Sequence, residues 1–417
     1  MRILSKRGAA WLVSAVLLGG ACLVPLASSA ADKPEDKPKI SAAAGKPLKA
    51  AQDALAKQDW AGALADLKQA QDLPNKSEYE EFTTNQMLVV AYLHTNDNAN
   101  AEKALEAVVA SRYLDKPDLP TRQRTLTQLN YQMKDFDKAI QFGETAIKDG
   151  SANDEIVTIV DQSYYLKGDY KGAVQSVNAH VQTAIKSGQK PAEERLSLLL
   201  SSCVKINDAD CTSHALDLLV TFYPKPEYWQ NILYALIQTP GVSDKALLQV
   251  YRLALDLDVL KRPEDYLEMA QLANEQGSPG EAERALEAGQ QKNAFHEAAL
   301  KTHAAQMLES VKKQVAVDTA SLPKIAADAD ASKTGVKDAG LGLAYFSYQQ
   351  YDKAIVSLQS ALAKGALKSE PETRLLLAIA QLRAGKKDDA LKTFDLVKGD
   401  PKLERMAALW EIRARQM

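Results

Sequence analysis

The sequence predicts an all-α protein built from consecutive antiparallel helical hairpins. A short phrase recurs along the 417 residues, as QDWAGAL (58–64), KDFDKAI (134–140), GDYKGAV (168–174) and QQYDKAI (349–355). Each copy places Ala three positions after an aromatic residue. Apolar residues elsewhere recur with helical spacing, brief Gly, Pro, Asn or Asp breaks separate the runs, and no convincing period-two strand is found. Together these observations favour a repeated two-helix unit.

The spacing of the phrase sets the size of the unit. Its alanine recurs regularly, first at Ala63, Ala101, Ala139 and Ala173, and again at Ala354 and Ala390. A period of roughly 34–38 residues with two helices in each repeat is typical of a helical-hairpin solenoid. Ala at this place lets the second helix approach the first closely, because a larger side chain would hold the pair apart.

Several segments resemble the tetratricopeptide repeat family. LGLAY (341–345) is similar to the L-G-x2-Y of that family's first helix, and the later positions follow at the expected offsets. The matching residues are Tyr351, Ala354, Leu358 and Ala361; Gly168, Tyr170, Ala173 and Val177; Gly277, Ala282 and Leu286; and Trp229. The resemblance implies a right-handed superhelical solenoid whose first helices line a face that binds protein or peptide partners.

Residues 1–30 have the three regions of a secretory signal peptide. Three basic residues occur close to the start, an apolar run extends over about 9–26, and small residues follow. We expect cleavage near Ala30, and therefore an exported protein, periplasmic in a Gram-negative cell. A retained anchor is disfavoured because the run is short and contains two glycines. A lipoprotein anchored through Cys22 is disfavoured because Gly stands where such a signal prefers Leu.

The rest of the chain divides into a lead-in, an array and a terminal helix. Residues 31–47 combine Pro with charge and predict a flexible lead-in. Residues 48–404 hold about nine to ten repeats, of which those at 192–225 and 297–334 are irregular. Residues 402–417 predict one more helix, a polar-faced cap on the last repeat.

Composition and motifs argue against most chemical functions. The formal net charge is −3, and basic residues are interspersed with acidic ones, so no nucleic-acid surface is expected. Nucleotide-binding, zinc-protease and serine-hydrolase signatures are not found, and no cofactor is expected. One enzyme class stays open as an alternative. Some wall-cleaving lytic enzymes join a helical superhelix to a domain with a catalytic Glu followed by Ser, as at Glu309, but the repeats resume at about 335.

Two cysteines remain after the expected cleavage, Cys203 and Cys211. In an oxidising compartment such a pair is more often bridged than free. If one helix ends near Ile206 and the next begins near Cys211, the turn places them opposite each other, so we predict a disulfide. The alternatives are two buried thiols, or a metal site that would include His214.

The resemblance to the tetratricopeptide repeat family also implies a partner-binding groove on the first helices. Its candidate residues are Arg124, Gln128, Gln162, Gln230, Tyr234, Glu264, Glu268 and Gln271. The competing interpretation for each one is an ordinary solvated helix face.

A closer resemblance lies in the middle of the chain, between positions 223 and 291. YPKPEYW (223–229) and the segment 255–291 are similar to periplasmic repeat proteins encoded beside the TonB–ExbB–ExbD machinery. The matching residues are Tyr223, Pro224, Tyr228, Trp229, Met269, Ala270, Leu272, Gly277, Pro279, Ala282, Leu286, Glu287 and Gly289. The resemblance implies a non-catalytic accessory scaffold for outer-membrane transport. A scaffold for envelope, polysaccharide or outer-membrane assembly is the alternative.

Overall fold

The computed structural model describes residues 39–239 and 242–417. The predicted signal peptide and most of the predicted lead-in lie outside the described residues. Within them the structure is all-α, as predicted, with twenty α-helices, one short 3-10 helix at Lys116–Asp118 and no strand. No described helix is both long and apolar enough to span a bilayer.

The helices follow one another with short turns. The first ten are α1 (Ala42–Ala56), α2 (Trp60–Gln71), α3 (Glu78–His94), α4 (Asn98–Ala110), α5 (Leu119–Gln132), α6 (Phe136–Lys148), α7 (Asp154–Leu166), α8 (Tyr170–Lys186), α9 (Glu193–Lys205) and α10 (Ala209–Phe222). The others are α11 (Pro226–Ile237), α12 (Asp244–Asp256), α13 (Pro263–Glu275), α14 (Pro279–Gln291), α15 (Ala298–Asp330), α16 (Val336–Ser347), α17 (Tyr351–Lys364), α18 (Glu370–Arg383), α19 (Lys387–Asp395) and α20 (Pro401–Gln416).

The chain forms two compact units. The first holds α1–α3 together with Ser111–Tyr113, and the second holds α4 and everything from Leu114 to the end. The first unit contains the hairpin α1/α2. The described part of the second contains the hairpins α5/α6, α7/α8, α9/α10, α11/α12, α13/α14, α16/α17 and α18/α19. The repeat that α3 and α4 would form is thus divided between the two units.

The recurring phrase marks the turn and the start of a second helix. In KDFDKAI, Lys134 has a positive φ of 63°, and the Asp135 side chain accepts from the backbone N–H of Lys138 at 3.2 Å. Asp59, Asp169 and Asp208 cap their helices in the same way. An Asp at this position satisfies a backbone donor that the helix leaves free. The acid before the aromatic residue is therefore a cap.

The alanines of the phrase are packing residues. All six of them, Ala63, Ala101, Ala139, Ala173, Ala354 and Ala390, are fully buried. In three hairpins the aromatic residue makes an edge-to-face pair with one five positions earlier, with centroids 5.2 to 6.1 Å apart: Tyr131–Phe136, Tyr165–Tyr170 and Phe346–Tyr351. These pairs fill the end of the hairpin beside the turn.

The array begins earlier than the sequence analysis placed it. The helix α1 starts at Ala42, where residues 31–47 were predicted to be flexible. Ser41 caps it by accepting from the N–H of Ala44, and the Ser41 N–H donates to Glu80 of α3 at 2.7 Å. Pro47 lies inside the helix and removes one backbone donor there, a cost that these contacts offset.

Two segments were predicted to be irregular repeats. The segment 192–225 is a regular hairpin, with α9 and α10 joined by a short turn. The segment 297–334 holds no hairpin, because α15 is a single helix of 33 residues. No residue with positive φ interrupts α15, so no turn of the kind seen in the hairpins forms there.

The last helix is not a polar-faced cap. Leu409 and Trp410 of α20 are fully buried. Arg405 of α20 binds Asp217 of α10 through two hydrogen bonds of 2.5 and 2.6 Å. The helix therefore packs back onto a hairpin from the middle of the chain.

Two helices at the centre of this packing are buried on all sides. They are α12, where every residue from Leu248 to Ala254 is buried, and α18, where every residue from Leu375 to Leu382 is buried. A helix that is apolar all round belongs in a core. The runs LLQVYRLAL and RLLLAIAQL were the sequence signal for this arrangement, and the prediction of a simple array did not use it.

Candidate functional site

The predicted groove residues all lie on first helices, but most are already bound within the protein. Gln128 of α5 donates to Glu155 of α7 at 2.8 Å. Gln162 of α7 accepts from Tyr131 of α5 at 2.7 Å. Arg124 donates to the Ser151 carbonyl, also at 2.8 Å. These side chains tie one hairpin to the next, so only part of their surface can face a partner.

The same contacts continue along the second unit. Tyr234 of α11 donates to the buried carboxylate of Asp265 on α13 at 2.7 Å. Gln230 donates to the Val259 carbonyl at 3.2 Å and accepts from Lys261 at 3.1 Å. We call the row of first-helix contacts from α5 to α13 the polar ladder.

Sequence reasoning missed several members of the polar ladder. Tyr165 of α7 and Ser201 of α9 are hydrogen bonded at 2.9 Å. Tyr228 of α11 donates to Glu193 of α9 at 2.6 Å. A Tyr five positions before the aromatic of the phrase, as at Tyr131 and Tyr165, was a usable signal. Their partners gave none, since each lies in a neighbouring repeat.

Burial raises the pKa of three phenols in the polar ladder. Burial, assisted by the hydrogen bond to Asp265, raises the pKa of Tyr234 to about 12. Burial also raises the pKa of Tyr131 and of Tyr228. The Lys225 ammonium and the Tyr228 hydroxyl lower the pKa of the Glu193 carboxyl. Tyr131, Tyr228 and Tyr234 thus remain donors, and the Glu193 carboxylate an acceptor, near neutral pH.

The open part of the face lies mainly on α13. Glu264, Glu268 and Gln271 are exposed and spaced so that they share one side of the helix. Glu268 accepts from Tyr251 at 2.6 Å, and Gln271 donates to Glu275 at 2.9 Å. This stripe presents carboxylate and amide groups to solvent.

A buried polar cluster lies between α7, α8 and α9. The Asp161 carboxylate, almost fully buried, binds the His180 ring at 2.8 Å, the Ser176 hydroxyl at 2.7 Å and the Arg195 guanidinium at 3.1 Å. An open cleft of about 540 Å³ adjoins it. Ser176 and His180 share one carboxylate oxygen, so the ring does not stand between hydroxyl and carboxylate as a hydrolytic triad requires. The cluster cross-links three helices.

The structure also locates the predicted disulfide pair and the candidate residue of the lytic-enzyme alternative. In the structure Cys203 and Cys211 are bonded, with Cα atoms 5.4 Å apart, across the turn between α9 and α10. For the protein in its cellular compartment the bridge stays a prediction. Among residues 39–239 and 242–417, no group of three or more His, Cys, Asp or Glu is placed to hold a metal ion. Glu309 is exposed on α15 and pairs with Lys313.

The segment YPKPEYW packs the chain locally. Trp229 is buried, and the Tyr223 hydroxyl donates to the Pro191 carbonyl at 2.9 Å. Tyr228 and Lys225 both bind Glu193. Tyr223 and Tyr228, two of the residues that carried the closer resemblance, therefore join α9 to the α10–α11 turn.

These features define a helical-hairpin repeat protein with a polar first-helix face. No protein family and no curated protein matches the chain. It is similar in structure to a tetratricopeptide repeat protein from Parabacteroides merdae, with 11% identity over 81% of this chain and 100% of that chain, and a TM-score of 0.29.

Two yeast structures are similar at the same level. Tom70 has 10% identity over 89% of this chain and 96% of its own, with a TM-score of 0.24. The TPR2AB domain of Sti1, in a structure titled as a complex with pHSP90, has 14% identity over 71% and 96%, with a TM-score of 0.24. At these scores the description of the fold rests on the hairpins themselves.

Proposed function

We propose that this chain is a tetratricopeptide-type scaffold that binds protein or peptide partners and has no catalysis of its own. The observation that carries the proposal is the polar ladder. Hydrogen bonds between consecutive first helices hold those helices in fixed positions before any partner arrives. A surface fixed in this way loses little conformational entropy on binding.

The open stripe on α13 suggests the chemistry of the contact. Its carboxylates at Glu264 and Glu268 accept hydrogen bonds and favour positive charge, and the Gln271 amide can both donate and accept. A partner segment that offers Lys or Arg side chains, or free backbone N–H groups, fits this stripe.

The proposal includes a cellular location and a role in transport. The signal-like residues 1–30 support export to the periplasm, and the YPKPEYW and 255–291 segments support an accessory role in TonB-linked outer-membrane transport. A scaffold for envelope assembly is the alternative. Its partners would come from polysaccharide or outer-membrane assembly components, so the identity of the bound proteins separates the two.

Position-dependent crosslinking tests the binding face. A photoreactive residue at Gln271 should capture a distinct partner in intact cells, and one at the exposed Gln141 on the second helix α6 should not. Mass spectrometry then identifies the captured protein. The same products from both positions, or none from Gln271, would contradict a first-helix binding face.

A further inference from the structure

A cavity of about 420 Å³ lies inside the second unit, where the late helices pack back on the middle ones. Most of its lining residues come from α12, α14 and α18, and α13, α16, α17 and α20 contribute one residue each. Its volume lies in the range of small-molecule sites. The cavity is separate from the polar ladder, because none of the predicted groove residues lines it.

One side of the cavity is apolar and aromatic. Met269, Phe346, Ile379 and Trp410 line it, and each of these residues is almost fully buried. The indole N–H of Trp410 has no hydrogen-bond acceptor among the described residues. Buried indoles usually find one, so a donor is left without a partner beside the cavity.

Arg252 and Arg284 both line the α14 side of the cavity, and of the two only Arg252 is ion-paired among the described residues. The buried Arg252 and Glu281 form an ion pair at 2.5 Å. Arg284, one turn along α14 from Glu281, donates to the Ser347 carbonyl and makes no ion pair of its own among the described residues. The other charged residues that line this side are paired, Glu287 with Lys312 and Asp258 with Lys292.

On the opposite side the charged lining residues are also paired. The buried carboxylate of Asp256 on α12 binds Arg383 of α18 at 2.6 Å and Arg413 of α20 at 2.8 Å. Asp256 and Arg383 line the cavity, whereas Arg413 does not. Among the described residues, Arg284 is therefore the charged lining residue without an ion pair, and guanidinium groups suit carboxylates geometrically.

We propose that this cavity binds a small carboxylate with an apolar body. Arg284 contacts the carboxylate, while Phe346, Ile379 and Trp410 contact the apolar part. A free organic acid and the carboxyl end of a peptide share this chemistry, and the cavity has room for little more than one aromatic residue.

Binding of simple probes tests the proposal on the full mature chain. Phenylacetate represents a free acid, and phenylacetamide is its uncharged match. Glycyl-phenylalanine and its C-terminal amide represent a peptide end. Calorimetry or ligand-observed NMR should show a Kd of about 1 mM or tighter for at least one of the acids, and at least about tenfold weaker binding of its amide.

Two variants locate the site. Arg284→Gln should weaken binding of the acid by about tenfold and leave binding of the amide unchanged. Ala288→Phe should block both, because Ala288 lines the cavity and Phe would fill it. Arg374→Gln is the matched control, since Arg374 is an α18 arginine outside the cavity that pairs with Glu370. Circular dichroism confirms that each variant is folded.

Which probe binds identifies the source of the carboxylate. Binding of phenylacetate indicates a free acid, whereas binding of the dipeptide alone indicates a peptide end. The proposal is overturned if neither acid binds at about 10 mM, if acid and amide bind equally, or if the folded Arg284→Gln and Ala288→Phe variants bind like the parent.

Discussion

Ala139→Leu should destabilise the α5/α6 hairpin by about 1–3 kcal/mol, because a tightly packed core cannot take a larger side chain without strain. Ala139 is fully buried at the second-helix position where every copy of the phrase has Ala. One turn further along, a Cβ on Gly143 would lie only 2.3 Å from a methyl of Val160. The helix α6 therefore lies too close to its neighbours for a Leu to be absorbed.

Hydrogen exchange and urea unfolding measure this effect. Gln141→Leu is the matched control, because it places the same side chain on an exposed position of α6 and should change the free energy of unfolding by less than about 0.5 kcal/mol. Faster exchange of α5 and α6 amides is expected only in Ala139→Leu. Equal stability of the two variants would refute the close-packing explanation of the phrase.

Three further predictions follow from single contacts. Asp135→Ala removes the cap of α6 and should cost about 1 kcal/mol of unfolding free energy, with the lost protection confined to the first turn of the helix. Hydrogen bonds from Ser41 and Ser77 lower the pKa of Glu80 from 4.5 to about 2. The contribution of the Glu80 carboxylate to folding stability is therefore present above pH 4.5 and is lost as the pH falls toward 2. Allowing for solvent screening, Glu80→Gln should lower the unfolding free energy by about 1–2 kcal/mol at pH 7. It should also flatten the dependence of that free energy on pH between 4.5 and 2. Parallel curves of unfolding free energy against pH for parent and variant would contradict this prediction. Mass spectrometry of the exported protein without reductant should show Cys203 and Cys211 joined by a disulfide. Two free thiols would contradict that prediction.

The sequence predicted local features better than long-range ones. The phrase around Phe136 and Ala139 predicted hairpins correctly, because the hairpin is closed by residues within a few positions of each other. The cap at Asp135 is equally local, but the sequence analysis did not predict it. The single helix α15 was missed because a weak repeat pattern was continued through a segment in which Pro323 lies inside the helix and no turn forms.

The helices that carry the candidate groove residues were expected, but the hydrogen bonds that these residues make within the protein were not. Gln128 and Gln162 lie on first helices as expected, yet their partners are 27 and 31 residues away. The partners of Asp161 are 15 to 34 residues distant, and Arg405 reaches a residue 188 positions earlier. No periodicity encodes such pairs, since they depend on how the hairpins stack.

The affinity of the partner captured at Gln271 is the most direct test of the proposed binding face. Glu264→Lys combined with Gln271→Lys reverses the charge of the exposed stripe on α13 and should weaken that affinity by at least about tenfold. Gln141→Lys, an exposed change on a second helix, should leave it within about twofold. Equal affinities for the two folded variants would contradict a scaffold that binds through its first helices.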